Sequence, residues 1–131
     1  MNKSPKISII DDDPSIRVAI DDLLKSSGYL TSVFSQVDGF LSSSAAWESD
    51  CVISDYEMQG TSGIELLRVV RSNKMEIPVI VMSARAMRSA AADLMKLGAF
   101  AFIEKPFSPE RFLELVHSAV SGSSRGLMGL R

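Results

Sequence analysis

The stretch KISIIDDDPSIRVAIDDLLKSSG, residues 6–28, decides the fold of this chain. It opens on a short run, 6–10, rich in isoleucine, the composition of a β-strand. Three aspartates follow, Asp11, Asp12 and Asp13, and the last stands directly before Pro14. Aspartate followed by proline reads as an N-cap with proline at the first helical position. Ile16, Ile20, Leu23 and Leu24 then recur at helical spacing, and Gly28 closes the segment as a C-terminal stop. A strand, an acidic corner and an amphipathic helix make one βα unit.

The same alternation continues down the chain. Residues 30–34 read as a second strand, weakened by Thr31 and Ser32, and 36–44 as a short, poorly periodic helix. Residues 51–54 form the third strand. After a loop containing Gly60 and Gly63, Ile64, Leu67 and Val70 mark a helix ending near Asn73. The run 77–82 is almost wholly apolar, as expected of a strand covered on both faces. An alanine- and methionine-rich helix over 86–97 stops at Gly98, and 100–103 is the fifth strand. Ser108-Pro109 repeats the cap-then-proline start, and Phe112, Leu115, Val116, Ala119 and Val120 supply one apolar stripe. The fold class is therefore α/β: a five-stranded parallel sheet, doubly wound, with right-handed crossovers. The order 2-1-3-4-5 suits sites at the first and third strands. Residues 1–120 read as one domain, and 121–131 (SGSSRGLMGLR) as a linker or flexible C-terminal tail.

Composition excludes several classes of partner. With 14 basic and 16 acidic residues the net charge is −2, and no Lys/Arg block occurs, so nucleic acid and anionic membrane find no footprint. Cys51 is the only cysteine; it opens an apolar run, and a buried, unreactive thiol in a reducing compartment is expected. Lys3 and Lys6 precede too few apolar residues for a signal peptide, and no run approaches the roughly 18 residues that span a bilayer. A cytoplasmic location is the expectation.

Four of the predicted strands end at residues suited to phosphoryl chemistry: Asp11 and Asp12, Asp55, Ser83, and Lys105. In an open parallel sheet these carboxyl ends share one edge, where such folds place their sites. Two carboxylates about 4 Å apart repel by roughly 4 kcal/mol at an effective dielectric of 20. Such a cluster holds a raised pKa, a cation, or both. Oxygen ligands without histidine or thiolate favour Mg²⁺ or Mn²⁺ over zinc. Asp13 is assigned to capping, whereas Asp55 ends its strand well before the next helix. Lys105 precedes Pro106, which restricts its backbone, and a cis bond there is expected to aim the ammonium at the acids. His117, late in the last helix, reads as a surface residue and not a ligand.

These motifs, IIDDDPSIR (9–17), VISDYEMQGTSGIELL (52–67), VIVMSARA (79–86) and GAFAFIEKPF (98–107), resemble the receiver domain of bacterial two-component response regulators, most nearly the FixJ/NarL-type subgroup. The resemblance covers residues 6–120. It implies that Asp55 is the phosphoacceptor, taking a phosphoryl group from a sensor histidine kinase or a histidine phosphotransfer protein. It implies a Mg²⁺ (or Mn²⁺) site formed by Asp12, Asp55 and the backbone carbonyl of Glu57, with Asp11 acting through water. Ser83 would bond a phosphoryl oxygen, Lys105 would offset charge, and Phe102 would stand at an aromatic switch position. Switching would remodel the surface of the fourth helix, fifth strand and fifth helix, where Met87, Ala91, Met95 and Phe102 offer a phosphorylation-dependent homodimer contact. The output would be control of a partner or effector domain, as in transcription regulation. The chain would then be a signalling domain, not an enzyme beyond self-phosphorylation from small donors and autodephosphorylation.

Three departures from the family pattern stand out. Gln59 replaces the usual proline after methionine, Ser83 stands where threonine is frequent, and Glu57 and Arg85 flank the phosphoryl site. Glu57, Gln59 and Arg85 are therefore candidates for tuning dephosphorylation. The competing reading is a Mg²⁺-dependent phosphohydrolase with an aspartyl nucleophile, but the chain lacks a DxDx[TV] arrangement and a cap domain. A flavodoxin-like cofactor binder lacks its Gly-rich or Ser/Thr-rich phosphate loop.

Overall fold

The computed structural model describes residues 4–57, 63–73, 76–84 and 91–122. The elements run β1 (Lys6–Ile10), α1 (Pro14–Ser26), β2 (Leu30–Phe34), α2 (Val37–Leu41), α3 (Ala45–Glu48), β3 (Cys51–Asp55), α4 (Gly63–Ser72), β4 (Val79–Ala84), α5 (Ala91–Lys96), β5 (Ala101–Lys105) and α6 (Pro109–Ser121). All strand pairs are parallel, and the order is β2-β1-β3-β4-β5, as predicted.

Period-two alternation divides the strands between two cores. Ile7, Ile9, Cys51, Ile53, Ile80, Met82 and Ile103 pack under α1 and α6, against Ile20, Leu24, Phe112 and Val116. Ile10, Val52, Val79 and Val81 pack on the other face, against Val37, Phe40, Leu66, Leu67, Val70 and Leu94. Each fully buried side chain of this kind contributes about 1.5–3 kcal/mol of transfer free energy. β3 is buried along its whole length, so its last residue enters the site from a rigid support.

Both cap-then-proline starts form. Asp13 accepts from Ser15 N at 2.9 Å and Ser108 from Arg111 N at 3.0 Å, with Pro14 and Pro109 opening their helices. Gly28 follows α1 at φ +94°, the left-handed conformation a stop requires. The Cys51 thiol is buried, and its desolvation pushes its pKa up to about 12. His117 is exposed beside Ser121.

The helix expected over 36–44 stops at Leu41, and a further short helix, α3, follows beyond the expected span. Ser42 Oγ and Ser43 Oγ donate to the carbonyls of Asp38 and Phe40, and Ser43 Oγ accepts from Ala45 N. Serine hydroxyls that bond the local backbone in this way compete with helix continuation. The fourth and fifth predicted helices are therefore α5 and α6. Of the helix expected over 86–97, Met87 and its neighbours to residue 90 lie outside the described residues. β4 starts at Val79, not Ile77, because Pro78 has no N–H for the ladder, although its carbonyl accepts from Val52 N at 2.9 Å. β3 and β5 run on to include Asp55 and Lys105, so these residues are the last rungs of the sheet.

Candidate functional site

Strand parity selects which side chains meet. Asp11, Asp55 and Lys105 continue the odd-numbered series that ends in Ile9, Ile53 and Ile103, all on the α1/α6 face. They converge at the carboxyl ends of the strands, where Lys105 Nζ lies 2.9 Å from Asp55 Oδ1 and 3.2 Å from Asp11 Oδ2. Asp12 joins them: one carboxylate oxygen each from Asp11, Asp12 and Asp55 lies within 4.8 Å of the others. The bond between Lys105 and Pro106 is cis.

Asp11 is fully buried and Asp55 is 8% exposed, whereas Asp12 faces solvent. Burial, and then the charges of Asp11 and Asp12, raise the Asp55 pKa, against the opposing pull of Lys105. Burial alone would depress Lys105, but its bonds and charge interactions with Asp55 and Asp11 outweigh this and hold its pKa above the ordinary value. Three carboxylates against one ammonium leave a formal deficit of two positive charges. Two oxygens facing each other across a Mg²⁺ stand about 4.2 Å apart. An all-oxygen donor set within 4.8 Å therefore fits a hard divalent cation with small adjustments.

The remaining predicted residues fall elsewhere. Ser83 is 1% exposed and follows Met82, the register partner of Asp55. It has the parity of Val81, on the opposite face from the acids, and Phe102 is its diagonal neighbour on β5. Phe102 is half-buried against the α2/α4 core. Glu57 is exposed, just after β3. Gln59 and Arg85 lie outside the described residues. Asp13 caps α1, where its bonds to Ser15 lower its pKa.

Three features of the site were not singled out from the sequence. Gly63, the first residue of α4, lies against the backbone of Asp55, and a Cβ there would meet Asp55 O at 2.9 Å. Arg17 Nη1 donates to the main-chain carbonyl of Asp11 at 2.8 Å. An apolar cavity of about 400 Å³, lined by Ile16, Ala19, Ile20, Lys105, Pro106 and Phe107, opens beside the lysine. Only Arg17 carried a readable signal: on the first turn of a helix, a long cation can reach back to the preceding loop.

Comparison with known proteins shows the family. The model of the response regulator receiver domain matches residues 7–117. The transcriptional regulatory protein FixJ of Bradyrhizobium diazoefficiens is 34% identical over 120 residues, 92% of this chain and 58% of its own length. The nitrogen assimilation regulatory protein NtrX of Azorhizobium caulinodans is 32% identical over 116 residues, 87% of this chain and 26% of its own. The crystal structure of full-length FixJ from B. japonicum superposes with a TM-score of 0.85 at 33% identity, over 93% of this chain and 60% of that one. The chain thus spans about three-fifths of FixJ and a quarter of NtrX. It is a member of the response regulator receiver domain family.

Proposed function

We propose that Asp55 accepts a phosphoryl group from the phosphohistidine of a sensor histidine kinase or histidine phosphotransfer protein. The observation that carries this reading is the buried Asp55 carboxylate held 2.9 Å from Lys105, with the carboxylates of Asp11 and Asp12 beside it. An Asp55 oxygen forms the bond to phosphorus as the P–N bond to the donor imidazole breaks, and that bonding pair stays on the ring nitrogen. Such transfer depends on alignment and charge neutralisation more than on covalent help. Lys105 supplies one positive charge. Asp12, Asp55 and the Glu57 carbonyl would hold Mg²⁺ (or Mn²⁺), with Asp11 acting through water. Bound there, the cation screens the repulsion between the attacking carboxylate and the incoming phosphoryl oxygens. The apolar cavity beside Lys105 gives the donor protein a surface to rest on.

After transfer, the Ser83 hydroxyl turns to bond a phosphoryl oxygen. Its diagonal neighbour Phe102 then moves inward, and the surface of α5, β5 and α6 changes. This is a population shift between two packings. Met95 is 48% exposed on that face and supplies an apolar contact for a phosphorylation-dependent homodimer. Glu57, Gln59 and Arg85 set how readily water removes the phosphoryl group. Residues 1–120 act as the receiver and 121–131 serve as a linker or tail, and the signal controls transcription through an effector or partner, from the cytoplasm. The domain is a phosphoacceptor and turns over no substrate of its own.

The test is phosphotransfer from a panel of purified, radiolabelled histidine kinases. Rapid transfer of label from one kinase to the wild-type chain, and none to Asp55→Asn, is expected. Equal labelling of the variant would refute the assignment.

A further inference from the structure

Asp11 is tethered on every side. Its N–H donates to Phe34 O at 3.1 Å, its Oδ1 accepts from Asp13 N at 2.9 Å, and its Oδ2 meets Lys105 at 3.2 Å. The remaining tether is Arg17, whose Nη1 donates to the Asp11 carbonyl at 2.8 Å. Local structure explains the reach. Arg17 N bonds the carbonyl of the cap residue Asp13 at 3.1 Å, so Arg17 sits one turn into α1. Helical side chains tilt toward the N-terminus, and this tilt carries the half-buried guanidinium back over the loop. The carbonyl of residue 11 and the N–H of residue 12 belong to one rigid plane. Holding that oxygen orients the plane, and with it the direction in which the Asp12 side chain leaves the backbone.

We propose that Arg17 is a positioning residue for the cation site: by clamping the peptide between Asp11 and Asp12, it presents the Asp12 carboxylate to a divalent cation without touching the ion or the phosphoryl group. The inference rests on the cation-assisted reading given above. Its sign is opposite to that of the simplest electrostatic alternative. A cation near three carboxylates weakens their attraction for a second cation through space. Deleting it would then tighten binding, most visibly at low salt. Loss of a clamp weakens binding instead, by about tenfold for supporting residues of this kind, and added salt changes that ratio little.

The experiment is calorimetric titration of Mg²⁺ into the whole chain at low and high ionic strength, with circular dichroism to verify folding. The variants are Arg17→Met, Arg17→Gln and Arg17→Lys, with Lys25→Met as a control that deletes an exposed cation from the same helix, paired with Asp21. Both neutral variants at Arg17 should bind about tenfold more weakly at either salt concentration. Arg17→Lys should recover part of the loss, and Lys25→Met should match wild type. At saturating Mg²⁺ the Arg17→Met chain should regain its phosphorylation rate with acetyl phosphate, because Asp55 and Lys105 are untouched. Binding as tight as wild type in either folded neutral variant, or an equal loss in Lys25→Met, would overturn the proposal. A wild-type chain that binds no Mg²⁺ would overturn the cation-assisted reading instead, so the two failures are distinguishable.

Discussion

Replacing Gly63 with alanine should damage both stability and phosphorylation, although helix propensity alone argues the reverse. In a helix, alanine is favoured over glycine by about 0.5–1 kcal/mol. Here, however, the new Cβ would stand 2.9 Å from Asp55 O and 3.1 Å from Tyr56 Cα, both backbone atoms at the end of a buried strand. Gly63 N also donates to Tyr56 O at 3.1 Å, which holds the helix start against that strand. Relief requires a separation of about 0.5 Å between α4 and β3, at an overpacking cost of about 1–3 kcal/mol. The net expectation is a loss of about 1 kcal/mol. A shift of that size at Asp55 also loosens its alignment with Lys105. Misplacement by 1 Å can cost about a hundredfold in rate, so roughly tenfold is expected here. Urea unfolding and acetyl phosphate kinetics measure the two effects. Gly39→Ala is the control: it lies within α2, and its new Cβ would meet only the Phe34 ring at an ordinary 3.8 Å, so it should gain a few tenths of a kcal/mol. A Gly63→Ala chain more stable than wild type, with unchanged kinetics, would refute the close-approach reasoning.

Further outcomes follow from the same geometry. Asp12→Ala should weaken Mg²⁺ binding far more than Asp13→Ala, since only Asp12 shares the carboxylate cluster while Asp13 caps α1; equal losses by calorimetry would contradict this. Asp13→Ala should instead lower the urea midpoint of unfolding, because it removes the N-cap of α1. Lys105→Met leaves two buried carboxylates uncompensated and should lower stability by about 1–3 kcal/mol, largely restored by Mg²⁺. Because pairing raises the Lys105 pKa, its contribution is complete at neutral pH and fades as pH climbs past the ordinary lysine value. The Cys51 thiol, held neutral up to about pH 12, acts in the same direction through a different group. The unfolded chain ionises first, so stability falls above pH 9, by about 1.4 kcal/mol at pH 10. Urea titrations should show that this slope disappears in Cys51→Ala.

The meeting of Asp11, Asp12, Asp55 and Lys105 was legible because it follows from a repeated local pattern; the strand order is written in no single stretch and follows only from the βα alternation together with sites at the first and third strands. Short apolar runs alternate with capped helices, and four of the five predicted strands end in chemistry-bearing residues at one edge. Proline and serine set the limits of that legibility. Pro78 delayed β4, and the hydroxyls of Ser42 and Ser43 ended early a helix whose periodicity was already weak, ahead of a further short helix that the pattern did not show. The extension of β3 and β5 into Asp55 and Lys105 depends on ladder bonds to neighbouring strands, which apolar patterning does not encode. Gly63 and Arg17 act on backbone atoms brought near by the fold. A glycine at a helix start, or an arginine on a first turn, has many uses, and only the distances to Asp55 O and Asp11 O select one.

Intact-mass spectrometry of the chain after incubation with acetyl phosphate and Mg²⁺ tests the central claim most directly. Wild type should gain the mass of a single phosphoryl group, and the gain should vanish both in Asp55→Asn and when a chelator removes the cation. A phosphoryl adduct of the same yield on Asp55→Asn, or one indifferent to the chelator, would contradict the account.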